Sequence, residues 1–346
     1  MYRIRFNPSI NQYEPEELLK VFLKTGEYQL MDRECQEGQE DQKDQENAQE
    51  GSVIDIRVPA FAKDPENAKK ERDVKNQVKR FLYRELQRYT GETPDWGILT
   101  GVRPVKLAGE LLDREGTEEK AKAILTGEYY LTEEKAQLLL DIVAYQRKLL
   151  DQSPVGAVGL YIGIPFCPTR CVYCSFPSNQ GKAESISSYL TALHREIAFA
   201  SDKMKQKGWY PESVYIGGGT PTTLTAEQLD KLLNHIVDGF DLNGLKEFTV
   251  EAGRPDTITA EKLQAIRKYN VQRISINPQS MNASTLERIG RAHRPEDIAE
   301  AFRLAREAGI PMINTDVIAG LPGEEAEDFV RTLEQILALA PENVTV

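Results

Sequence analysis

The stretch VGLYIGIPFCPTRCVYC, residues 158–174, joins an apolar run typical of a buried strand to three closely spaced cysteines. Four further apolar runs follow, separated by segments with helical periodicity. Strand followed by helix, repeated at this spacing, indicates a parallel sheet with crossover helices, whose chemistry lies at the carboxyl ends of the strands. The predicted strands are 158–164, 213–217, 246–252, 271–276 and 311–319, and the predicted helices are 185–207, 225–238, 259–269, 283–289 and 295–308.

The fold class predicted from this alternation is α/β. Residues 154–346 are expected to form a partial parallel (β/α)6-type barrel, which begins after the breaker Ser153-Pro154. Residues 344–346 resemble the start of a sixth strand, so we expect this barrel to be truncated at its C-terminus. Residues 1–153 precede it as a smaller α+β domain.

The predicted N-terminal domain contains an acidic, low-complexity insertion. Residues 32–51 hold eight acidic and two basic residues and lack aromatic or β-branched ones, so we expect a flexible segment, and we do not expect its Cys35 to be a ligand. A helix at 64–89 has a basic face, interpreted as solvated, with RNA or an acidic partner as the alternative. The other predicted elements are a strand and helix within 1–31, a strand at 53–58 and helices at 116–126 and 131–149.

Composition excludes several classes of protein. A net charge of −11 argues against a surface devoted to nucleic acid or anionic lipid. The longest weakly polar stretch, residues 155–166, is too short to span a bilayer, and Met1–Phe6 alternates like a strand rather than a signal peptide. Four cysteines in 346 residues are not a disulfide scaffold. We therefore expect a cytoplasmic protein without membrane insertion.

The three cysteines Cys167, Cys171 and Cys174 have the spacing C-x3-C-x2-C. One loop with this spacing wraps a cubane iron–sulfur cluster, because each thiolate reaches a different iron. Three ligands for four irons leave one iron open to a cofactor or substrate. The alternative is zinc, which in structural sites takes four protein ligands. No further Cys or His follows until His194, within a predicted helix.

This cysteine spacing, with the aromatic Tyr173 before the last cysteine, resembles the signature of the radical S-adenosylmethionine (SAM) superfamily. The resemblance implies a [4Fe-4S] cluster whose open iron is chelated by the methionyl amine and carboxylate of SAM. It further implies that an electron from the cluster cleaves SAM to a 5′-deoxyadenosyl radical, which abstracts a substrate hydrogen. Beyond the cluster and SAM, no separate catalytic residue is predicted.

Further candidate SAM-binding residues follow the later strands. Consecutive glycines let bare backbone approach a ligand, and in this superfamily such a loop offers carbonyls to the SAM amine. The resemblance implies that Glu251 holds the same ammonium, that Gln279 and Asp316 bind the ribose, and that Arg291 pairs with the methionyl carboxylate. His293, in a polar turn, is a weaker candidate. The full predicted set is Tyr161, Gly217, Gly218, Gly219, Thr220, Glu251, Gln279, Arg291 and Asp316.

Residues 158–346 further resemble the oxygen-independent coproporphyrinogen III oxidase group (coproporphyrinogen dehydrogenases) and their haem-chaperone relatives. The implied reaction converts two propionates of coproporphyrinogen III to vinyl groups with loss of CO2, giving protoporphyrinogen IX in haem biosynthesis. It requires an external electron donor and acceptor. The matching segments are YIGIPFCPTRCVYCSF (161–176), YIGGGTPTTL (215–224), FTVEAGRPD (248–256), ISINPQSM (274–281), IGRAH (289–293) and NTDVIAGLPGE (314–324).

Two alternative functions stay open. Members of the oxidase branch carry a further cysteine two positions after the last cluster cysteine, whereas this chain has Phe176 there, as the chaperone branch does. A haem-binding chaperone without decarboxylase activity is therefore one alternative. Another radical SAM activity, such as RNA modification, is suggested only by the basic face of the 64–89 helix.

Overall fold

The computed structural model describes residues 1–6, 13–24, 26–30, 54–59, 68–100, 103–176 and 179–346. The chain divides into two compact units, Met1–Gln152 and Ser153–Val346. The acidic segment expected at 32–51, with Cys35, lies outside the described residues.

The N-terminal unit contains a three-stranded parallel sheet with the order β2-β1-β3. The first strand is therefore central, and Ile4 pairs with Leu30 on one side and Ile56 on the other. Ile4 and Ile56 are buried because alternate side chains of a strand share one face. Residues 28–30 form a strand that the sequence did not predict. The strands are β1 (Tyr2–Phe6), β2 (Tyr28–Leu30) and β3 (Ile54–Val58).

Some helices of this unit begin or end at residues with local capping contacts. The Thr117 and Thr132 side chains accept hydrogen bonds from the Lys120 and Lys135 amides at two N-termini. Gly116, with φ 78°, ends the preceding helix in the left-handed conformation that glycine favours. The helices described are α1 (Tyr13–Phe22), α2 (Ala68–Thr90), α3 (Pro104–Glu115), α4 (Glu118–Gly127) and α5 (Glu133–Leu150).

Part of the predicted basic face of α2 contacts its own unit. Lys79 is buried, and Arg80 Nε donates to the Glu128 carbonyl at 2.9 Å. Arg80 also forms an ion pair with the Glu128 carboxylate at 3.3 Å. These contacts differ from the fully solvated face expected from the sequence, because a long cationic side chain can lie along an apolar surface and bond where it ends.

The C-terminal unit is built on a six-stranded sheet in the sequential order β4-β5-β6-β7-β8-β9, and all neighbouring strands are parallel. This confirms the predicted α/β class and parallel sheet. Among the described residues β4 and β9 are the edges, and the partial barrel expected from the sequence is not confirmed. The strands are β4 (Ala157–Ile164), β5 (Tyr210–Gly218), β6 (Glu247–Glu251), β7 (Arg273–Ser275), β8 (Met312–Asp316) and β9 (Asn343–Thr345).

Helices connect these strands and cover the sheet. The N-terminus of α7 is fixed by a reciprocal capping box between Thr225 and Gln228. The strands β4 to β8 also contribute fully buried aliphatic side chains, and burying one contributes about 1.5–3 kcal/mol. Those residues include Ile164, Ile216, Val250, Ile274 and Ile313. The helices are α6 (Ala183–Lys207), α7 (Ala226–Gly239), α8 (Ala260–Lys268), α9 (Ala283–Arg288), α10 (Pro295–Glu307) and α11 (Ala326–Ala338).

β7 and β8 are shorter than predicted. Past β7, Gln279 has φ 70° and makes an isolated bridge with Val317, so the chain turns where regular pairing was expected. β8 ends at Asp316, directly before Val317 of that bridge. Because the strands are parallel, the loops that follow β4 to β8 meet at one edge of the sheet. In the part of the chain described, no helix is long and apolar enough to cross a membrane.

Candidate functional site

The cysteine loop follows β4 and encloses one side of a cavity of about 90 Å³. Cys171 is buried, and Cys167 and Cys174 are partly exposed. Backbone hydrogen bonds fix the loop: the Cys174 amide donates to the Cys171 carbonyl at 3.2 Å, and the Cys167 amide to the Asn179 carbonyl at 3.1 Å. The predicted site residues that line the cavity are Cys167, Cys171, Cys174, Gly219, Thr220, Glu251 and Arg291.

The donor set at this cavity fits an iron–sulfur cluster. Three thiols from one loop face the same space. The thiolates that hold a cubane bind separate irons, so three sulfurs of one loop around a shared space suit such a cluster.

The glycine segment 217–219, at the end of β5, lies close to the neighbouring backbone and side chains. Gly218 has φ 111°, which disfavours any other residue. A Cβ atom at Gly217 would lie 3.1 Å from the Tyr161 hydroxyl and 3.0 Å from Glu251 Oε2. Thr220 donates its amide to the Phe166 carbonyl at 2.7 Å, and its Oγ1 lies 3.4 Å from Cys167 Sγ. The glycine segment is thereby held against the cysteine loop, and no side chain larger than hydrogen fits at Gly217 without a shift of its neighbours.

Glu251, the last residue of β6, is held in place by its neighbours. The Tyr215 hydroxyl donates to Oε1 at 2.5 Å, and the Gly218 amide also donates to the carboxylate. Burial raises the pKa of the Glu251 carboxyl above its ordinary value, although these two hydrogen bonds lower it. The exposed Tyr161 ring stacks on Tyr215, with centroids 5.7 Å apart and planes 11° apart. Glu251 is thus an oriented carboxylate with few other partners.

Arg291 reaches the cavity after α9, but its fork is already engaged. Nε and Nη2 donate to the Tyr173 hydroxyl at 3.1 and 2.8 Å, and Nη1 donates to the carbonyls of Asn277 and Gly253 at 2.6 and 3.3 Å. Burial of the hydroxyl raises the pKa of Tyr173 to about 12, against the lowering effect of Arg291. A carboxylate that pairs with this fork must therefore displace Tyr173.

Gln279 and Asp316 do not line this cavity, although they lie at the same edge of the sheet. The Gln279 amide donates to the Asp316 carbonyl at 3.1 Å. The Asp316 carboxylate accepts from Asn314 Nδ2 at 2.9 Å and acts electrostatically on Glu251. Tyr161, Gly217 and Gly218 are also outside the lining, on the strands that frame it.

Three residues of this site were missed by the sequence reasoning. Tyr215 orients Glu251, Asn277 accepts from Arg291, and Arg254 lies 3.6 Å from Cys171 Sγ through Nη1. Arg254 and Asn277 stand in the quoted segments FTVEAGRPD and ISINPQSM, which was the available signal. The environment of His293 differs from the polar turn expected from the sequence. Its ring is fully buried, and its Nδ1 lies 3.9 Å from Asp256 Oδ1.

The model of one family, the Radical SAM superfamily, matches residues 161–336, just over half of the chain. The chain belongs to the radical SAM superfamily. The prediction of a [4Fe-4S] cluster and SAM as cofactors of this radical SAM protein is thereby confirmed. The assignment of individual residues to each cofactor stays a prediction.

Relatives of this radical SAM protein include members of three kinds. An oxygen-independent coproporphyrinogen-III oxidase-like protein, HemZ of Bacillus subtilis, is 43% identical over 82% of this chain and 58% of its own length. The haem chaperone HemW of the same species is 37% identical over 54% of this chain and 48% of HemW. The solved structure of coproporphyrinogen III oxidase (HemN) from Escherichia coli, a radical SAM enzyme, has a TM-score of 0.51 and 28% identity over 57% of this chain and 46% of that one. The chain spans about half the length of these relatives.

Proposed function

We propose that Cys167, Cys171 and Cys174 hold the [4Fe-4S] cluster, and that the adjoining edge of the sheet binds SAM. The observation that carries this proposal is the cavity itself, where three thiols of one loop share a space with the Glu251 carboxylate and the Arg291 guanidinium. Such a donor set suits three irons of a cubane and a ligand that bears both an ammonium and a carboxylate.

Each protein group has a binding role in this proposal. Glu251, oriented by Tyr215, accepts hydrogen bonds from the SAM ammonium, and the 217–219 backbone lies close beside it. Arg291 pairs with the carboxylate in place of Tyr173. Gln279 and Asp316 bind the ribose, and Tyr161 covers the outer side. When bound, the cluster and SAM together supply a carbon-centred radical that abstracts hydrogen from a substrate.

For the substrate we propose coproporphyrinogen III. The support is the 43% identity to a coproporphyrinogen-III oxidase-like protein over most of this chain. At each of two propionates, one hydrogen atom leaves the β carbon, the carboxylate leaves as CO2, and one electron passes to an external acceptor as the vinyl group forms. We also propose that the protein is cytoplasmic and that an external electron donor reduces the cluster.

A second candidate function is haem handling without decarboxylation. Phe176 favours it, because its side chain is exposed beside the cysteine loop where the oxidase branch has a cysteine. The 37% identity to a haem chaperone over the cluster-binding half agrees with it.

One assay separates the two functions. Protein reconstituted with iron and sulfide without oxygen is incubated with SAM, dithionite and coproporphyrinogen III, and 5′-deoxyadenosine, CO2 and porphyrin products are measured. The proposal predicts deoxyadenosine together with protoporphyrinogen IX, and a Cys171→Ala control yields neither. SAM cleavage without decarboxylation, accompanied by stoichiometric haem binding, would contradict the oxidase function and support the haem-chaperone function.

A further inference from the structure

Arg254 is a buried cation beside the cysteine loop that the proposed SAM site does not use. It lies three residues beyond β6 and is 3% exposed. Its Nη1 donates to Thr169 Oγ1 at 2.9 Å and approaches Cys171 Sγ at 3.6 Å. Both partners belong to the loop that carries the three cysteines, so this guanidinium directs its donors at the proposed cluster ligands.

Asp256 fixes the orientation of that guanidinium. Its two carboxylate oxygens accept from Arg254 Nε at 3.1 Å and Nη2 at 3.2 Å, which is a bidentate pair. The buried ring of His293 lies 3.9 Å from Asp256 Oδ1. Nη1 is the guanidinium nitrogen that does not pair with Asp256, and it is the atom that contacts Thr169 and Cys171.

A donor in this position changes the redox energetics of a cluster. The ligand sulfurs become more negative when the cluster gains an electron, so an N–H aimed at one of them stabilises the reduced state more than the oxidised state. Burial strengthens the effect, because a low local dielectric screens the charge less. The Asp256 carboxylate opposes it, since a nearby negative charge disfavours reduction.

We propose that Arg254, oriented by Asp256, is a positioning residue that raises the reduction potential of the cluster through its hydrogen bond to the Cys171 sulfur. This inference rests on the proposed ligand set. It goes beyond that set by assigning the potential to a particular ion pair. The cluster is then easier to load with an electron and a weaker reductant toward SAM.

The test is the midpoint potential of the reconstituted full chain without SAM, measured by a redox titration followed by electron paramagnetic resonance. Arg254→Met removes the donor, and we expect the equilibrium constant for one-electron reduction to fall about tenfold, which is ~59 mV for a one-electron couple. Arg254→Lys keeps the charge and is expected to lie between. Asp256→Asn keeps one oxygen acceptor that holds Arg254 in place and removes the counter-charge, so its potential is expected to rise above the wild-type value.

Opposite signs for the two partners separate tuning from disruption. A purely structural role for the pair would shift both variants in the same direction or lower their iron content together. Arg303→Met, in an exposed ion pair with Glu300 and Glu307 on α10, is the matched control and should leave the potential unchanged. If Arg254→Met fails to load iron, Arg254→Lys and Asp256→Asn still decide the sign.

Equal potentials for wild type and Arg254→Met at equal iron content would overturn the inference, as would a lowered potential in Asp256→Asn. Those results would not contradict the assignment of the three cysteines as cluster ligands. A wild-type chain without a cluster would instead contradict the ligand set, and the inference with it.

Discussion

The hydroxyl of Tyr215 donates to Glu251 Oε1 at 2.5 Å and joins the neighbouring strands β5 and β6 at the edge where the predicted SAM ligands meet. This bond orients the carboxylate and favours its charged form, because a hydrogen bond to a carboxylate lowers its pKa. Burial acts in the opposite direction and raises the pKa of Glu251.

Tyr215→Phe is therefore expected to weaken SAM binding about tenfold, since a hydrogen bond to a charged group contributes about 1.5–3 kcal/mol. The pKa of Glu251 rises further without the donor, so the loss of affinity on acidification begins at a higher pH than in wild type. Equilibrium SAM binding to the cluster-loaded protein across a pH series measures both effects. Tyr269→Phe, whose hydroxyl bonds to the exposed Asn234, is the control. Unchanged affinity in Tyr215→Phe would mean that Glu251 does not hold SAM.

Gly217→Ala is expected to abolish SAM binding while the cluster is retained. The added Cβ would lie 2.7 Å from the Tyr215 ring and enter the space between Tyr161 and Glu251. Overpacking of this kind costs about 1–3 kcal/mol of stability. Gly127→Ala, at the end of α4 with nothing within 4 Å of the new methyl group, should bind SAM normally. Wild-type SAM affinity in the Gly217 variant would show that this space is not the SAM site.

Each of Cys167→Ala, Cys171→Ala and Cys174→Ala is expected to lose the cluster, because two thiolates leave a second iron without a protein ligand. Iron content and visible absorbance after anaerobic reconstitution measure the loss. Cys35→Ala uses the fourth cysteine of the chain as the control and should retain both. A full cluster in all three variants would contradict the assignment of these cysteines as cluster ligands.

His293 makes stability depend on pH. Burial, with a contribution from Arg291, lowers the pKa of His293 from 6.5 to about 4. Below about pH 6.5 the unfolded chain protonates this ring and the folded chain does not, so stability present above pH 6.5 falls until about pH 4. The loss amounts to about 3 kcal/mol.

The His293→Gln variant should lack this component. Denaturant unfolding between pH 7 and 4, followed by the fluorescence of Trp209 in a Trp96→Phe background, gives both curves for the C-terminal unit. The wild-type free energy of unfolding should fall by about 3 kcal/mol relative to the variant. Parallel curves would show that the ring titrates normally in the folded state.

The sequence predicted the parallel sheet because its determinants are local. Apolar runs such as 158–164 and 213–217 are contiguous, and the three cysteines fall within eight positions. The partial barrel stays a prediction: the six described strands pair in sequence order, with β4 and β9 as the edges.

The missed contacts join residues far apart in the chain. Tyr173 meets Arg291 across 118 positions, and Arg254 meets Cys171 across 83. The sequence of β5 does not show that the Tyr215 side chain contacts Glu251 of the neighbouring strand. His293 was expected in a polar turn because its neighbours in the sequence are polar, yet the residue is buried.

The central claim is that three cysteines hold a cubane with one open iron. Iron, sulfide and zinc content of the full chain, purified and reconstituted without oxygen, tests it most directly. We expect about four iron and four sulfide per chain, with negligible zinc. Zinc in place of iron, or a chain that retains no metal, would contradict it.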